Sequence, residues 1–250
     1  AGASAGLADV LHRLGRAGEA VGVLREGLRH ATGDRQLLSL LCHIGLSDEG
    51  TGPEQAAAMH AAAGRAISDA RHRGRPPVRP RDLPWFVRDP AKRLRIGLIS
   101  PDFRDHAVSR FVEPLLESLP RAECDLLCYS CSGGGDGVTQ RLRSLVSDGV
   151  WRDASRMDDE ALRHAILGDR VDVAVDLAGY TAMSRMAALA VRAAPLQVSA
   201  IGYPHATGLP TMDAWIVDGV TNPAMHARAG LISLPECFLC FRAPEGAPAV

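Results

Sequence analysis

The chain has 250 residues, 46% of them hydrophobic and 23% charged, which suits a buried core and excludes a chain disordered by composition. Lys plus Arg number 28 against 29 for Asp plus Glu, a formal net charge of -1, so no general nucleic-acid or anionic-membrane footprint is expected. No uninterrupted apolar stretch reaches membrane-spanning length, so no membrane partner is expected, and cysteines that read as reduced thiols point to the cytoplasm.

The first third is helical in pattern. In GLADVLHRLGRAGEAVGVLREGLRHATGD, Leu7, Val10, Leu11 and Leu14, then Ala20, Val21, Leu24 and Leu28, mark two short amphipathic helices around a break at Gly15–Gly18. Small residues at Ala8, Gly15 and Ala20 let two antiparallel helices approach closely. The pattern is similar to one tetratricopeptide repeat, and an ordinary helical hairpin is the alternative. Because solenoids are usually stable with about three or more repeats, such a unit is expected to end an array whose earlier members lie outside the chain.

Another helix is predicted from Pro53 to His72, with proline at its start and Glu54 in its first turn. RHRGRPPVRPRDLP, from Arg71 to Pro84, then reads as an extended linker whose arginines are solvated charge. After it the grammar changes. LRIGLIS is a strand, FVEPLLESL a helix, CDLLCYSC a strand, VTQRLRSLVSDG a helix and VWRDAS a short strand. DDEALRHAILGDR is a helix, VDVAVDLAG a strand, SRMAALAVRAA a helix, and LQVSAIGYP and DAWIVDG are strands. Near-continuous apolar strands alternating with helices predict a parallel sheet covered on both faces, an α/β Rossmann-like lobe. The expected organisation is tetratricopeptide-like and connecting helices over 1–75, a linker over 76–93 and the lobe over 94–250.

Six cysteines fall at 42, 124, 128, 131, 237 and 240, two pairs of them with CxxC spacing. A zinc site needs thiolates converging tetrahedrally. Both pairs sit in runs that read as strands, CDLLCYSC and CFLCF, where alternate residues point to opposite faces. Buried, reduced thiols are the expectation, with no metal ligands among them.

In an open parallel sheet, ligands bind beyond the carboxyl ends of the strands. Asp102 and His106 follow the first strand there. SGGGDG at 132–137 matches neither GxGxxG nor the P-loop pattern and reads as a flexible loop. In GYTAMSR at 179–185, Gly179 frees the backbone while Tyr180, Thr181 and Arg185 supply donors. In GYPHATG at 202–208, glycine and proline shape a loop on which Tyr203, His205 and Thr207 supply polar tips.

The ordered set RIGLISPDFRDH, DLAGYT, APLQVSAIGYPHATG and MDAWIVDG, preceded by repeat-like helices, resembles the O-linked N-acetylglucosamine transferase family and its bacterial members in particular. That resemblance implies the first lobe of a GT-B glycosyltransferase, with a second, nucleotide-binding lobe absent from these 250 residues. It implies inverting transfer from UDP-N-acetylglucosamine to Ser or Thr hydroxyls, with no cofactor and no metal. The partners it implies are the nucleotide sugar and protein or peptide acceptors held through the helical repeats. Asp102 and His106 are placed by it at the transfer site, with main-chain donor contacts at Ala107 and Val108. A second family histidine is matched by His43, with His60 as competitor. The GYT loop contributes Gly179, Tyr180 and Thr181; the GYP loop contributes Gly202, Tyr203 and Pro204, with His205 and Thr207 beyond.

As an imidazole, His106 can either accept a proton or donate a hydrogen bond. The plainer reading is that it caps the following helix. Two rival functions use the same residues: protein fucosylation from a GDP-sugar, and a non-catalytic repeat protein that only binds partners.

Overall fold

The computed structural model describes residues 1–72, 78–86, 89, 91–220 and 230–243. Four helices come first: α1 (Gly2–Arg13), α2 (Ala17–His30), α3 (Arg35–Gly45) and α4 (Pro53–His72). The first two match the apolar spacing, and α4 has the predicted bounds. Helix α3, capped by Asp34 accepting from Leu37 N at 3.0 Å, was not marked by the sequence reading. Helix α1 does not bury the stripe its periodicity suggested. Ala5, Ala8 and Leu11 face the hairpin core, while Leu7, Val10 and Leu14 are exposed. Small side chains win that face because α1 and α2 pack too closely for larger ones: a Cβ on Gly27 of α2 would stand 2.9 Å from Ser4 Cβ.

Seven parallel strands follow in the order β3-β2-β1-β4-β5-β6-β7: β1 (Leu94–Ser100), β2 (Cys124–Ser130), β3 (Val150–Asp153), β4 (Val173–Asp176), β5 (Leu196–Ser199), β6 (Ala214–Asp218) and β7 (Leu231–Leu234). The fold is the expected α/β Rossmann-like one. Helices α5 (Ala107–Ser118) and α6 (Gly137–Leu145) cover one face through Val108, Val112, Leu116 and Leu142. On the other face lie α7 (Asp159–Gly168) and the single turn α8 (Met186–Leu189), with Leu162, Ile166 and Leu189. That second core also contains Leu38, Cys42, Ala63 and Ile67, so α3 and α4 share it with the sheet.

Three expectations are corrected. SRMAALAVRAA forms only the one turn of α8, because side chains from farther along take its backbone groups. Gln197 Nε2 donates to Leu189 O at 3.0 Å, Gln197 Oε1 accepts from Ala193 N at 2.8 Å, and Thr211 Oγ1 donates to Leu189 O at 2.7 Å. CFLCF is not a strand; β7 is the preceding LISL, and Cys237 is exposed rather than buried. The linker's charges are in part paired: Arg71 bridges to Glu160 and donates to Ala187 O, while Trp85 Nε1 holds Val171 O at 3.0 Å. Its residues 73–77 lie outside the described ones.

The other cysteine pair divides as strand alternation requires, Cys128 in one core and Cys131 in the other. Helix α7 begins at Asp158, whose carboxylate accepts from Ala161 N at 2.7 Å. Removing that cap in Asp158→Ala is expected to cost about 1 kcal/mol, read from urea unfolding midpoints.

Candidate functional site

Strands β1 and β4 are neighbours, yet the chain leaves β1 toward β2 on one side and leaves β4 toward β5 on the other. This is the switch point of the sheet, the edge on which open α/β sheets bind their ligands. The loop after β1 carries Asp102 and His106. Asp102 is buried, its amide donating to Ser100 Oγ at 2.9 Å and its carbonyl accepting from Ser109 Oγ at 3.0 Å. Its carboxylate lies 3.8 Å from His106 Nδ1 and 3.6 Å from the Arg104 guanidinium.

His106 is the N-cap of α5, and its Nδ1 accepts from Val108 N at 3.2 Å. The capping role weighed from sequence is therefore real. It also sets the tautomer: with a lone pair at Nδ1, the proton of the neutral ring sits on Nε2, where it is a donor. To act as a base through Nε2, the ring would have to carry its proton on Nδ1, give up the Val108 amide and turn toward Asp102. The Val108 amide that the resemblance offers to a donor sugar is thus already engaged.

The glycine-rich loop before α6 holds this geometry from the side. Asp136 caps α6 by accepting from Thr139 N at 2.8 Å, and it also accepts from Asp105 N at 2.7 Å. Those amides draw its carboxyl down to about 2. Thr139 Oγ1 in turn donates to Phe103 O at 2.7 Å. The role of SGGGDG here is to brace the histidine loop. Its signal was present in sequence, an aspartate three residues before a threonine at a helix start.

The loops after β4 and β5 lock against each other and against α5. A Cβ on Gly202 would meet Leu177 O at 2.0 Å and Val108 Cγ2 at 3.1 Å. Gly179 has φ +54, and its backbone lies flat against the Tyr203 ring, whose Cγ would stand 2.3 Å from a Cβ. Asp176, wholly buried at the end of β4, accepts from Gly179 N at 2.7 Å and holds that turn. Burial pushes its carboxyl up to about 6 against the pull of those amides. Sequence reasoning passed over Asp176, although a polar residue closing a buried strand three before a glycine marks such a turn.

The polar tips of the two loops face inward. Tyr180 OH donates to Thr207 O at 2.8 Å, and Tyr203 OH donates to His60 Nε2 at 2.6 Å. His205 stacks on His60 at 4.1 Å, and its Nδ1 donates to Ala206 O at 2.8 Å. Tyr180, Tyr203, His205 and Thr207 are all buried. They form the floor of the site and fasten α4 to it. Ala107 and Pro204 are exposed, with Thr181 and Gly202 partly so.

The two candidate helical histidines separate clearly. His60 is part of that floor; its Nδ1 donates to Ala56 O at 2.6 Å, and burial with the nearby His205 depresses its pKa to about 3. His43 on α3 is half-buried, 5.8 Å from His12 ring to ring, and its pKa is lowered by burial first and by His12 second. It lines a cleft of about 520 Å³ between the helices and the loop after β4, with Asp9, His12, Arg35, Thr181 and Ser184. His106 is not part of that lining. Among the described residues, no three His, Cys, Asp or Glu side chains gather as metal ligands, and no helix is long and apolar enough to cross a membrane.

The chain is similar to known glycosyltransferases. The family description of glycosyl transferase family 41 matches residues 80–238. The chain is 38% identical over 168 residues to the probable UDP-N-acetylglucosamine–peptide N-acetylglucosaminyltransferase SPINDLY of Arabidopsis thaliana, covering 65% of this chain and 18% of that protein. It is 32% identical over 139 residues to the UDP-N-acetylglucosamine–peptide N-acetylglucosaminyltransferase of Caenorhabditis elegans, covering 55% of this chain and 12% of that one. Among solved structures it is similar to a mutant of the Thermobaculum terrenum O-GlcNAc transferase, with a TM-score of 0.86 and 28% identity over 98% of this chain and 46% of that one. The chain thus spans under a fifth of the length of the curated relatives it matches.

Proposed function

The chain belongs to glycosyl transferase family 41, and from that premise we propose that it serves inverting transfer of N-acetylglucosamine from UDP-N-acetylglucosamine to Ser or Thr hydroxyls of proteins, in the cytoplasm and without a metal. The observation that carries the proposal is the sheet's switch point, where the Asp102–His106 loop and the packed turns at Gly179 and Gly202 share one edge, Gly202 lying against Val108 of α5. Transfer requires a hydrogen-bond donor or cation near the departing pyrophosphate and a route for the acceptor's proton. With its proton on Nε2, His106 is the donor here; the Val108 amide holds the ring at Nδ1, and Asp102, 3.8 Å away, becomes its partner only when Nδ1 takes a proton. Ala107, Thr181, Gly202 and Pro204 supply the accessible surface around it, and Tyr180, Tyr203, His205 and Thr207 act by fixing that surface in place.

The acceptor is assigned to the helical side. The tetratricopeptide-like helices form a cleft in which His43 lies with Thr181 and Ser184 of the loop after β4, and an acceptor segment is assigned to it.

His106→Asn separates the cap from the chemistry, because an asparagine oxygen still accepts from the Val108 amide. The full-length His106→Asn protein is expected to unfold at the wild-type midpoint while transfer to a protein acceptor falls roughly tenfold or more. Wild-type transfer in that variant would leave His106 the cap alone. Running the assay with UDP-N-acetylglucosamine and GDP-fucose in parallel decides the donor: GDP-fucose turnover alone overturns the sugar assignment, and turnover of neither overturns the enzyme reading.

A further inference from the structure

We propose that Cys237 and Cys240 are a redox-active dithiol, oxidised reversibly to an intramolecular disulfide by small-molecule disulfides of the glutathione class. The assignment is independent of sugar transfer. It starts from a division among the cysteines. Cys42, Cys124, Cys128 and Cys131 are buried, and burial raises the pKa of each, to about 12 for Cys42, Cys128 and Cys131. These four remain protonated and shielded at neutral pH. Cys237 is exposed and Cys240 partly exposed, so the reactive thiols of the described chain are confined to one Cys-Phe-Leu-Cys turn.

The turn folds back on its first sulfur. The backbone bends at Phe238 and Leu239, and Leu239 N donates back to Cys237 Sγ at 3.4 Å. At its middle it is tied to the end of β6, since Phe238 N donates to Asp218 Oδ2 at 3.2 Å. Downstream the Phe241 ring meets Phe111 at 5.9 Å, and Arg242 pairs with Glu117, both on α5. With only two residues between them and the turn tied at Phe238, Phe241 and Arg242, the two sulfurs stay at high effective concentration, so closure outruns capture of a second small molecule.

The chemistry balances as two exchanges. The Cys237 thiolate, the more accessible, attacks one sulfur of the small disulfide, forms a mixed disulfide and expels one thiolate. Cys240 then attacks the Cys237 sulfur, forms the internal bond and expels the second. Two electrons pass from the cysteine pair to the oxidant, and the two protons leave on the two released thiols.

Oxidised glutathione is the probe, and intact mass with peptide mapping is the readout. The wild type is expected to lose two hydrogens, with Cys237 linked to Cys240, and to regain them on reduction with dithiothreitol. Cys240→Ser should stall as a single glutathione adduct on Cys237. Cys237→Ser should react roughly tenfold more slowly, for want of the exposed attacking thiol. Both variants alter solvent-facing positions, and folding is checked by circular dichroism. A wild type that keeps the glutathione adduct, stays unreacted, or is isolated with stoichiometric zinc on the pair overturns the proposal.

Discussion

Gly64→Ala destabilises the protein by about 4 kcal/mol, although alanine is the better helix former. Helix propensity alone predicts a gain of roughly 0.5–1 kcal/mol in mid-helix. The surroundings reverse that sign. A Cβ on Gly64 would lie 2.1 Å from Gly208 O and 2.6 Å from Leu209 N, all backbone, with no side chain able to swing away. Gly208 answers in kind, its own Cβ position 2.3 Å from His60 O at φ +69. Helix α4 would have to lift from the loop after β5. Lifting it parts His60 from Tyr203, leaves both groups buried without partners, and opens the core holding Ala63 and Ile67. Overpacking of this kind costs roughly 1–3 kcal/mol, and an orphaned buried pair adds a similar amount. Gly22→Ala on α2 is the control, since nothing lies within 4 Å of its Cβ position, and it should be neutral or stabilising. Urea unfolding of both variants settles the matter; equal midpoints would mean that α4 is not seated as described.

That seam marks where the sequence stopped being readable. Strand runs such as LRIGLIS and VDVAVDLAG are apolar because both faces of the sheet are covered, so the α/β lobe and its ligand edge were legible from local pattern. Asp102, His106 and the two glycine-tyrosine turns were correctly placed on one edge, because strand order and chain direction decide which ends of the strands lie together. The directions of side chains were not legible. Tyr180 and Tyr203 look like donors at a rim, yet the rim has another layer behind it: α4 supplies His60 and Ala56 O, and those partners lie more than a hundred residues away in sequence from Tyr203. The fate of SRMAALAVRAA is a similar case, since Gln197 and Thr211 end its helix from outside. Even α1 was misread in its facing, because close helix packing selects Ala5 and Ala8 over the larger Leu7 and Val10. Local pattern specifies the elements; contacts between distant segments specify which side of each is used.

The same floor sets the second large effect, a pair of opposed pH dependences. His60 is neutral in the folded protein, Nδ1–H on Ala56 O and Nε2 accepting from Tyr203, with its pKa depressed to about 3. An unfolded histidine titrates near about 6.5, so between those values the unfolded chain binds more protons. Stability from His60 is therefore complete above about 6.5 and lost as pH falls toward 3, on the order of 4–5 kcal/mol in all. Asp176 runs the other way. Its folded pKa is about 6 and its unfolded value about 3.9, so between them the folded chain binds more protons, and its contribution is present at low pH and lost as pH rises through 6. That amounts to about 3 kcal/mol. From pH 6 down to 4 the two slopes nearly cancel, and wild-type stability should hold almost level from these sources. Asp176→Asn removes one of them while keeping an oxygen for the Gly179 amide. It should lose about 2–3 kcal/mol relative to wild type between pH 6 and 4, whereas His60→Gln should gain over the same range. Urea midpoints at pH 7, 6, 5 and 4 read both, and referring each variant to wild type cancels the other carboxylates. Parallel profiles for wild type and Asp176→Asn would show that the buried carboxyl at the switch point does not titrate where its surroundings require.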